Sequence, residues 1–339
     1  MAVRKDLADS IGRTPLVHLR RASERTGCTI LAKAEFLNPG GSIKDRTALG
    51  LLRDAQARGL LQAGTTIVEG TAGNTGIGLA LVGASLGCRT IIVMPQTMSR
   101  EKIAALRMIG AEVQLVPVAP WTDPNHYAST AMRIAEEMNA QRPASAWFAG
   151  QFDNPANLAI HEATTGVEIW EETGGAIDGF ACAAGTGGTI AGVGRALKAR
   201  KPDVRIALAD PAGSALANWI NTGELAASGT SISEGIGISR LTENFRQAPI
   251  DLAWSIADEE SIPLAHALLA EEGWCVGGSS GVNMAGAIRL ARELGRGHTV
   301  VTVLADAGTR YPATLFDPAT LRARGIPVPA WLDSGDRAS

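Results

Sequence analysis

The run Gly179-Phe180-Ala181-Cys182-Ala183-Ala184-Gly185-Thr186-Gly187-Gly188-Thr189-Ile190-Ala191 decides the fold class. Its first five residues are apolar and strand-like, its middle is glycine and threonine, and residues 189–199 then follow a helical pattern. A strand that feeds a glycine-rich turn and then a helix is the repeating step of a parallel α/β sheet. The same step recurs on both sides. Strands are expected at 65–68, 90–94, 112–116, 179–183, 205–209 and 298–304. Helices are expected at 46–58, 76–86, 101–109, 128–138, 189–199 and 281–294. Parallel sheets covered by helices on both faces follow from this alternation. Open sheets of this kind bind ligands at the loops that follow the strands, where the glycines lie here.

Composition narrows the function classes. The chain has 339 residues, 45% of them hydrophobic, enough for two domains at about 150 residues each. Thirty-one basic against 34 acidic side chains leave a net charge of −3 without a block of like charge, which argues against a nucleic-acid surface or a polybasic membrane patch. No uninterrupted apolar run reaches the roughly 18 residues a membrane helix needs. The amino-terminal residues are charged and lack the hydrophobic stretch of a secretion signal. Cys28, Cys88, Cys182 and Cys275 lie far apart with no CxxC pair, so neither a disulfide framework nor a zinc cluster is expected. A reduced, cytoplasmic setting and no metal are the expectation.

Three glycine-rich segments carry the chemistry. The loop Gly185-Thr186-Gly187-Gly188-Thr189 opens a helix, where outward N–H groups and the helix dipole suit a phosphate, with the Thr186 and Thr189 hydroxyls completing the cradle. It is not GxGxxG, and the acid that would hold a ribose some twenty positions on is replaced by Lys201 and Pro202 before Asp203, which disfavours a nicotinamide dehydrogenase. In Asn38-Pro39-Gly40-Gly41-Ser42-Ile43-Lys44-Asp45-Arg46, a lysine stands at the mouth of a helix. The positive potential there disfavours its ammonium form and makes Lys44 a candidate Schiff-base amine; the plain alternative is a solvated lysine at a helix start. Glu69-Gly70-Thr71-Ala72-Gly73-Asn74-Thr75-Gly76 follows a strand and opens a further helix. It is a second anion site, or else a capped turn, and Asn74 could donate to a ring oxygen or a substrate. Lysine, asparagine and phosphate loop together describe a pyridoxal phosphate site. Glu69 reads as catalytic or as a turn or domain contact. His161, on a helix face, and Cys182, in a strand, read as structural, and the tryptophans as packing or dimer surface.

Ordered motifs along nearly the whole chain resemble the cysteine synthase (O-acetylserine sulfhydrylase) and cystathionine β-synthase family, pyridoxal-phosphate enzymes of fold type II. They are residues 11–17, 38–46, 70–76, 151–157, 161–166, 185–189, 235–237 and 279–281. The resemblance implies an α/β fold of two parallel-sheet domains with the active site between them. A small mobile domain at 46–150 would close on a larger one formed by 1–45 and 151–339. Lys44 matches the Schiff-base lysine, and Asn74 the partner of the cofactor's ring hydroxyl. Gly185, Thr186, Gly187, Gly188 and Thr189 match the phosphate cradle. Thr71, Ala72, Gly73, Asn74, Thr75 and Gln151 match the holders of the substrate carboxylate, and Gly235 a glycine near the substrate amine.

Two departures stand out. Ala72 replaces a serine that family members often carry, so one hydroxyl donor is gone. In the segment Leu304 to Tyr311 the family places a serine against the pyridine nitrogen; here Asp306 or Ala307 falls there, depending on register. Asp306 facing the nitrogen would keep the ring protonated. Otherwise water or Thr309 serves, or Asp306 points away and caps the following turn.

The implied activity is β-replacement on an activated serine, O-acetyl-L-serine plus sulfide giving L-cysteine and acetate. Cystathionine synthesis from homocysteine, or desulfhydrase or dehydratase activity, would share the same first half-reaction. A catalytically silent relative acting as a binding partner is the reading from a different class. A homodimer is usual in such enzymes, and a serine acetyltransferase tail docks in the active site of some.

Overall fold

A computed structural model describes residues 3–71 and 73–333 of the chain. Two compact units emerge: Met1–Gly12 with Asn38–His161, and Arg13–Leu37 with Glu162–Ser339. Among the described residues ten strands form two sheets, one in each unit. They are β1 (Leu16–His18), β2 (Thr29–Ala34), β3 (Thr66–Gly70), β4 (Arg89–Pro95), β5 (Glu112–Val116), β6 (Ala146–Phe148), β7 (Gly179–Cys182), β8 (Arg205–Pro211), β9 (Leu252–Ile256) and β10 (Thr299–Leu304).

The first unit holds a four-stranded, all-parallel sheet in the order β5-β4-β3-β6. Every residue of β3 is buried, as expected of a central strand covered on both faces. Successive side chains of that strand serve opposite cores, because strand side chains alternate. Ile67 packs with Ala48, Leu51, Leu52, Leu79 and Val82 of the helices Lys44–Ala57 and Asn74–Ser85. Val68 packs with Val93 and with Ala131 and Ala135 of the helix Tyr127–Gln141. Burying one leucine such as Leu51 contributes ~1.5–3 kcal/mol.

Chain order places this unit's ligand edge. From β3 the chain steps to β4 and β5 on one side, and β6 is then laid on β3's other side. The carboxyl ends of β3 and β6 therefore flank a topological switch point, where an open sheet leaves a crevice. Residues 71, 73–75 and 149–155 leave the sheet there.

The second unit repeats the arrangement with six strands in the order β1-β2-β10-β7-β8-β9, parallel except for the β1–β2 pair. The chain runs β7, β8, β9 in one direction and then sets β10 against β7's free side. The switch point lies between β7 and β10, so residues 183–189 and 305–310 emerge side by side. The helix Gly278–Leu294 packs its buried face on this sheet, where Gly286 lets it approach so closely that a Cβ would lie 2.6 Å from Ala209.

The expected strands at 65–68, 90–94, 112–116, 179–183, 205–209 and 298–304 correspond to β3, β4, β5, β7, β8 and β10. The structure adds β1, β2, β6 and β9 and a 15-residue helix, Asp258–Glu272. Among the described residues, no helix is long and apolar enough to cross a membrane.

Candidate active site

In the first unit, Lys44 is the first residue of the helix Lys44–Ala57, half-buried between buried Ile43 and buried Asp45. The preceding loop is tied down at several points. Asn38 Oδ1 accepts the Gly12 N–H at 2.8 Å, Asp45 Oδ2 accepts the Gly40 N–H at 2.5 Å, and Ser42 Oγ accepts the Lys44 N–H at 3.2 Å. A Cβ on Gly40 would come within 2.4 Å of the Asp45 carboxylate, so glycine is required there. Gly78, in the next helix, sits where a Cβ would meet the Lys44 carbonyl at 3.1 Å and Ala48 at 3.0 Å. That close approach holds the start of the helix Asn74–Ser85 against the start of the lysine's helix.

Thr71 and Thr75 are buried, Gly73 and Asn74 half-buried; Ala72 lies outside the described residues. Gly73 caps the helix and Thr71 Oγ1 accepts its N–H at 3.3 Å. Across the switch point, buried Gln151 receives the Thr75 hydroxyl on Oε1 at 2.5 Å. Asn157 Nδ2 donates to the Gln151 carbonyl at 2.8 Å, and Glu69 Oε2 accepts the Gln151 N–H at 3.3 Å. The structure thus brings Gln151 to the 71–75 loop, although 76 residues separate it from Thr75.

Glu69, fully buried at the end of β3, has an unusual carboxyl. Burial pushes its pKa up to about 8, against the weaker opposing pull of the Gln151, Gly150 and Gly70 N–H groups and the Gln151 side chain. It is therefore protonated at neutral pH.

In the second unit, the glycine loop opens the helix Gly188–Lys198, with Gly187 in the left-handed region at φ 82°. A Cβ on Gly187 would lie 2.5 Å from Phe245 Cα, and one on Gly185 would lie 2.6 Å from the Gly235 carbonyl. Gly235 is thus brought directly against the loop. The segment 235–245 clasps it further: the Gly237 N–H donates to Ala184 O at 2.8 Å, and Thr242 Oγ1 to Thr186 O at 2.7 Å. Asn283 secures the loop's root, accepting the Ala183 N–H at 2.7 Å while donating to Val303 O at 2.7 Å. That makes Asn283 a brace between β7 and β10, one that local sequence did not single out.

Asp306 follows β10 at the same switch point. It is buried, and its Oδ2 accepts the Tyr311 hydroxyl at 2.6 Å. Ala307 beside it is half-buried and bridged to Val276. Asp210, at the end of β8, has its carboxyl pushed up to about 6 by burial, opposed by the Ala217 N–H.

His161 and Cys182 are buried; the His161 ring lies 3.3 Å from the Thr47 hydroxyl. Trp147 is buried in the first unit's core, while Trp121 is partly exposed and edge-on to Phe152.

Comparison with known proteins gives this geometry a family. The profile of a family described as pyridoxal-phosphate dependent enzyme matches residues 7–306. Cysteine synthase 1 of Emericella nidulans is 48% identical over 325 residues, covering 94% of this chain and 86% of that protein. Cysteine synthase 1 of Neurospora crassa is 47% identical over 329 residues, covering 96% and 86%. The crystal structure of an O-acetylserine dependent cystathionine β-synthase from Helicobacter pylori superposes with a TM-score of 0.81 at 34% identity, covering 93% of this chain and 99% of that one. The chain belongs to the pyridoxal-phosphate dependent enzyme family, and it is an enzyme that uses that cofactor.

Proposed function

We propose that this enzyme is a cysteine synthase, replacing the acetoxy group of O-acetyl-L-serine with sulfide to release L-cysteine and acetate. The observation that carries the reading is the donor-lined edge of the first unit. The N-terminus of the helix Asn74–Ser85, the Thr71 and Thr75 hydroxyls and the Gln151 amide lie together on the unit that also presents Lys44. The likeness to cysteine synthases in the two fungi adds to it.

The residues fit the cofactor. A phosphate needs N–H donors and space; the helix Gly188–Lys198 offers its first turn, behind two glycines where a Cβ would collide with backbone. We assign the phosphate to Gly185, Thr186, Gly187, Gly188 and Thr189, the ring hydroxyl to Asn74, and the covalent attachment to Lys44. The ring nitrogen is assigned to the Asp306 segment. The Tyr311 hydroxyl on Asp306 Oδ2 favours an indirect role for that carboxylate. Bound pyridoxal phosphate supplies the sink for the electron pair released at the substrate α-carbon.

The chain's own residues do the rest. Thr71, Gln151 and the N–H groups at 73–75 hold the substrate carboxylate, with the Thr75 hydroxyl given to Gln151, and Gly235 leaves room for its amine. Lys44 Nζ takes the α-proton as acetate leaves the β-carbon, sulfide forms the new bond there, and Lys44 returns the proton. Closure driven by carboxylate binding, with 46–150 as the moving segment, would keep water from the reacting β-carbon. The reading also takes in a cytoplasmic homodimer and a serine acetyltransferase tail as a partner.

A second reading, homocysteine as nucleophile to give cystathionine, rests on the likeness to the O-acetylserine dependent cystathionine β-synthase of Helicobacter pylori. The test is the visible spectrum of the holoenzyme before and after O-acetyl-L-serine without sulfide. A shifted cofactor band that returns on adding sulfide supports the proposal; a return with homocysteine alone supports the second reading. A band that never moves overturns both.

A further inference from the structure

Gln151 is gripped at three atoms by three buried side chains. Thr75 donates to its side-chain oxygen at 2.5 Å, Asn157 to its backbone carbonyl at 2.8 Å, and Glu69 Oε2 accepts its backbone N–H at 3.3 Å. Thr75 is 2% exposed, and Asn157 and Glu69 are fully buried. With Oε1 committed to Thr75, the NH₂ is the donor end of the amide; it pulls on the Glu69 carboxyl, and its polarity is the one a substrate carboxylate requires. One grip on the side chain and two on its backbone preorganise Gln151, which would spare a ligand the work of ordering that donor.

Of the three, Glu69 is the one whose chemistry is costly. A carboxyl group completely out of water is destabilising unless it stays neutral and hydrogen-bonded. Glu69 Oε1 has no hydrogen-bonding partner among the described residues. A leucine or methionine would fill the same space without that penalty, so core packing does not explain the residue. Its acceptor on the Gln151 N–H does.

We propose that Glu69 is a positioning residue for substrate recognition, holding Gln151 so that its amide donates to the carboxylate of the amino-acid substrate. The inference rests on the cysteine synthase reading, which puts that carboxylate at Gln151. Because burial keeps Glu69 protonated at neutral pH, it adds no negative charge beside the anionic ligand group. An ionised carboxylate in the same place would repel it.

The experiment titrates the cofactor band of wild-type, E69Q and E69A holoenzymes with O-acetyl-L-serine. A parallel titration uses 2-aminoethyl acetate, which keeps the amine and the acetoxy group but lacks the carboxylate. E69A is expected to weaken O-acetyl-L-serine by tenfold or more, the scale of one hydrogen bond to a charged group, and to leave 2-aminoethyl acetate within about twofold. E69Q retains a neutral acceptor and stays within about threefold of wild type for both. Should E69A not fold, E69M fills the volume without an acceptor on the amide and carries the same expectation. Equal weakening of both ligands, or no weakening of O-acetyl-L-serine, overturns the positioning role. A wild-type band that ignores O-acetyl-L-serine overturns the cysteine synthase reading itself, and the assignment built on it.

Discussion

Replacing Glu69 with glutamine removes a titration that the fold must otherwise oppose. The Glu69 carboxyl has a pKa of about 8 in the folded enzyme against an ordinary value of 4.5. A carboxyl whose folded pKa is raised favours the folded state fully below the unfolded value, and this stability is lost as pH rises towards the folded value. The window is therefore pH 4.5 to 8. Between pH 5 and 8 the unfolded chain is already ionised while the folded one gives up its proton only at the end of the range. At about 1.4 kcal/mol per pKa unit, wild type loses ~3 kcal/mol of stability across that interval from this group. Asp210, raised from 3.8 to about 6, contributes a smaller loss centred lower, but it is present in both proteins and cancels in their difference. The assay is urea unfolding of wild-type and E69Q holoenzymes at pH 5 and pH 8. The stability of E69Q relative to wild type is expected to be greater at pH 8 than at pH 5 by ~3 kcal/mol. Parallel curves for the two proteins from pH 5 to 8 would refute the claim that Glu69 is held neutral.

Other expectations follow from single contacts. Thr75→Val removes the hydroxyl that fixes the Gln151 amide, and is expected to raise KM for O-acetyl-L-serine about tenfold with a smaller effect on kcat, read by steady-state kinetics. Gly187→Ala places a methyl 2.5 Å from Phe245 Cα in left-handed backbone; pyridoxal phosphate titration is expected to show cofactor binding weakened by an order of magnitude or more, at a cost of ~2 kcal/mol. Lys33 is fully buried, with Nζ 2.9 Å from Glu168, 2.7 Å from Glu172 and 2.5 Å from Thr14 O. Lys33→Met leaves those acceptors without their cation and is expected to destabilise the enzyme by ~3 kcal/mol in urea titrations.

What the amino-acid sequence made legible follows from local physics. Apolar runs such as Thr66–Gly70 and Thr299–Leu304 stand out because central parallel strands are buried on both faces. The glycine loops stand out because they follow those runs. Strand β2 was not legible. Lys33 interrupts its apolar character, and the partners that make that lysine acceptable inside, Glu168 and Glu172, come from more than 130 residues away. The helix Asp258–Glu272 was hidden by Pro263 and by buried polar residues, Ser261 and His266, that blur an amphipathic face. The same division runs through the site. Lys44, Asn74 and the loop at 185–189 are visible as lysine, asparagine and glycines at helix starts. Gln151 entered through family resemblance alone, because its meeting with Thr75 depends on the order of strands across a switch point. Glu69 was visible as a carboxylate after a strand, but its proton is a consequence of burial, which no local pattern encodes.

The central claim is that Lys44 drives β-replacement on O-acetyl-L-serine. It is tested most directly by incubating wild-type and Lys44→Ala proteins, each supplied with pyridoxal phosphate, with O-acetyl-L-serine and sulfide, and quantifying L-cysteine and acetate. The account predicts equal amounts of both products from wild type and none above the uncatalysed background from the variant. L-Cysteine formed by Lys44→Ala at the wild-type rate, or none formed by wild type, would contradict it.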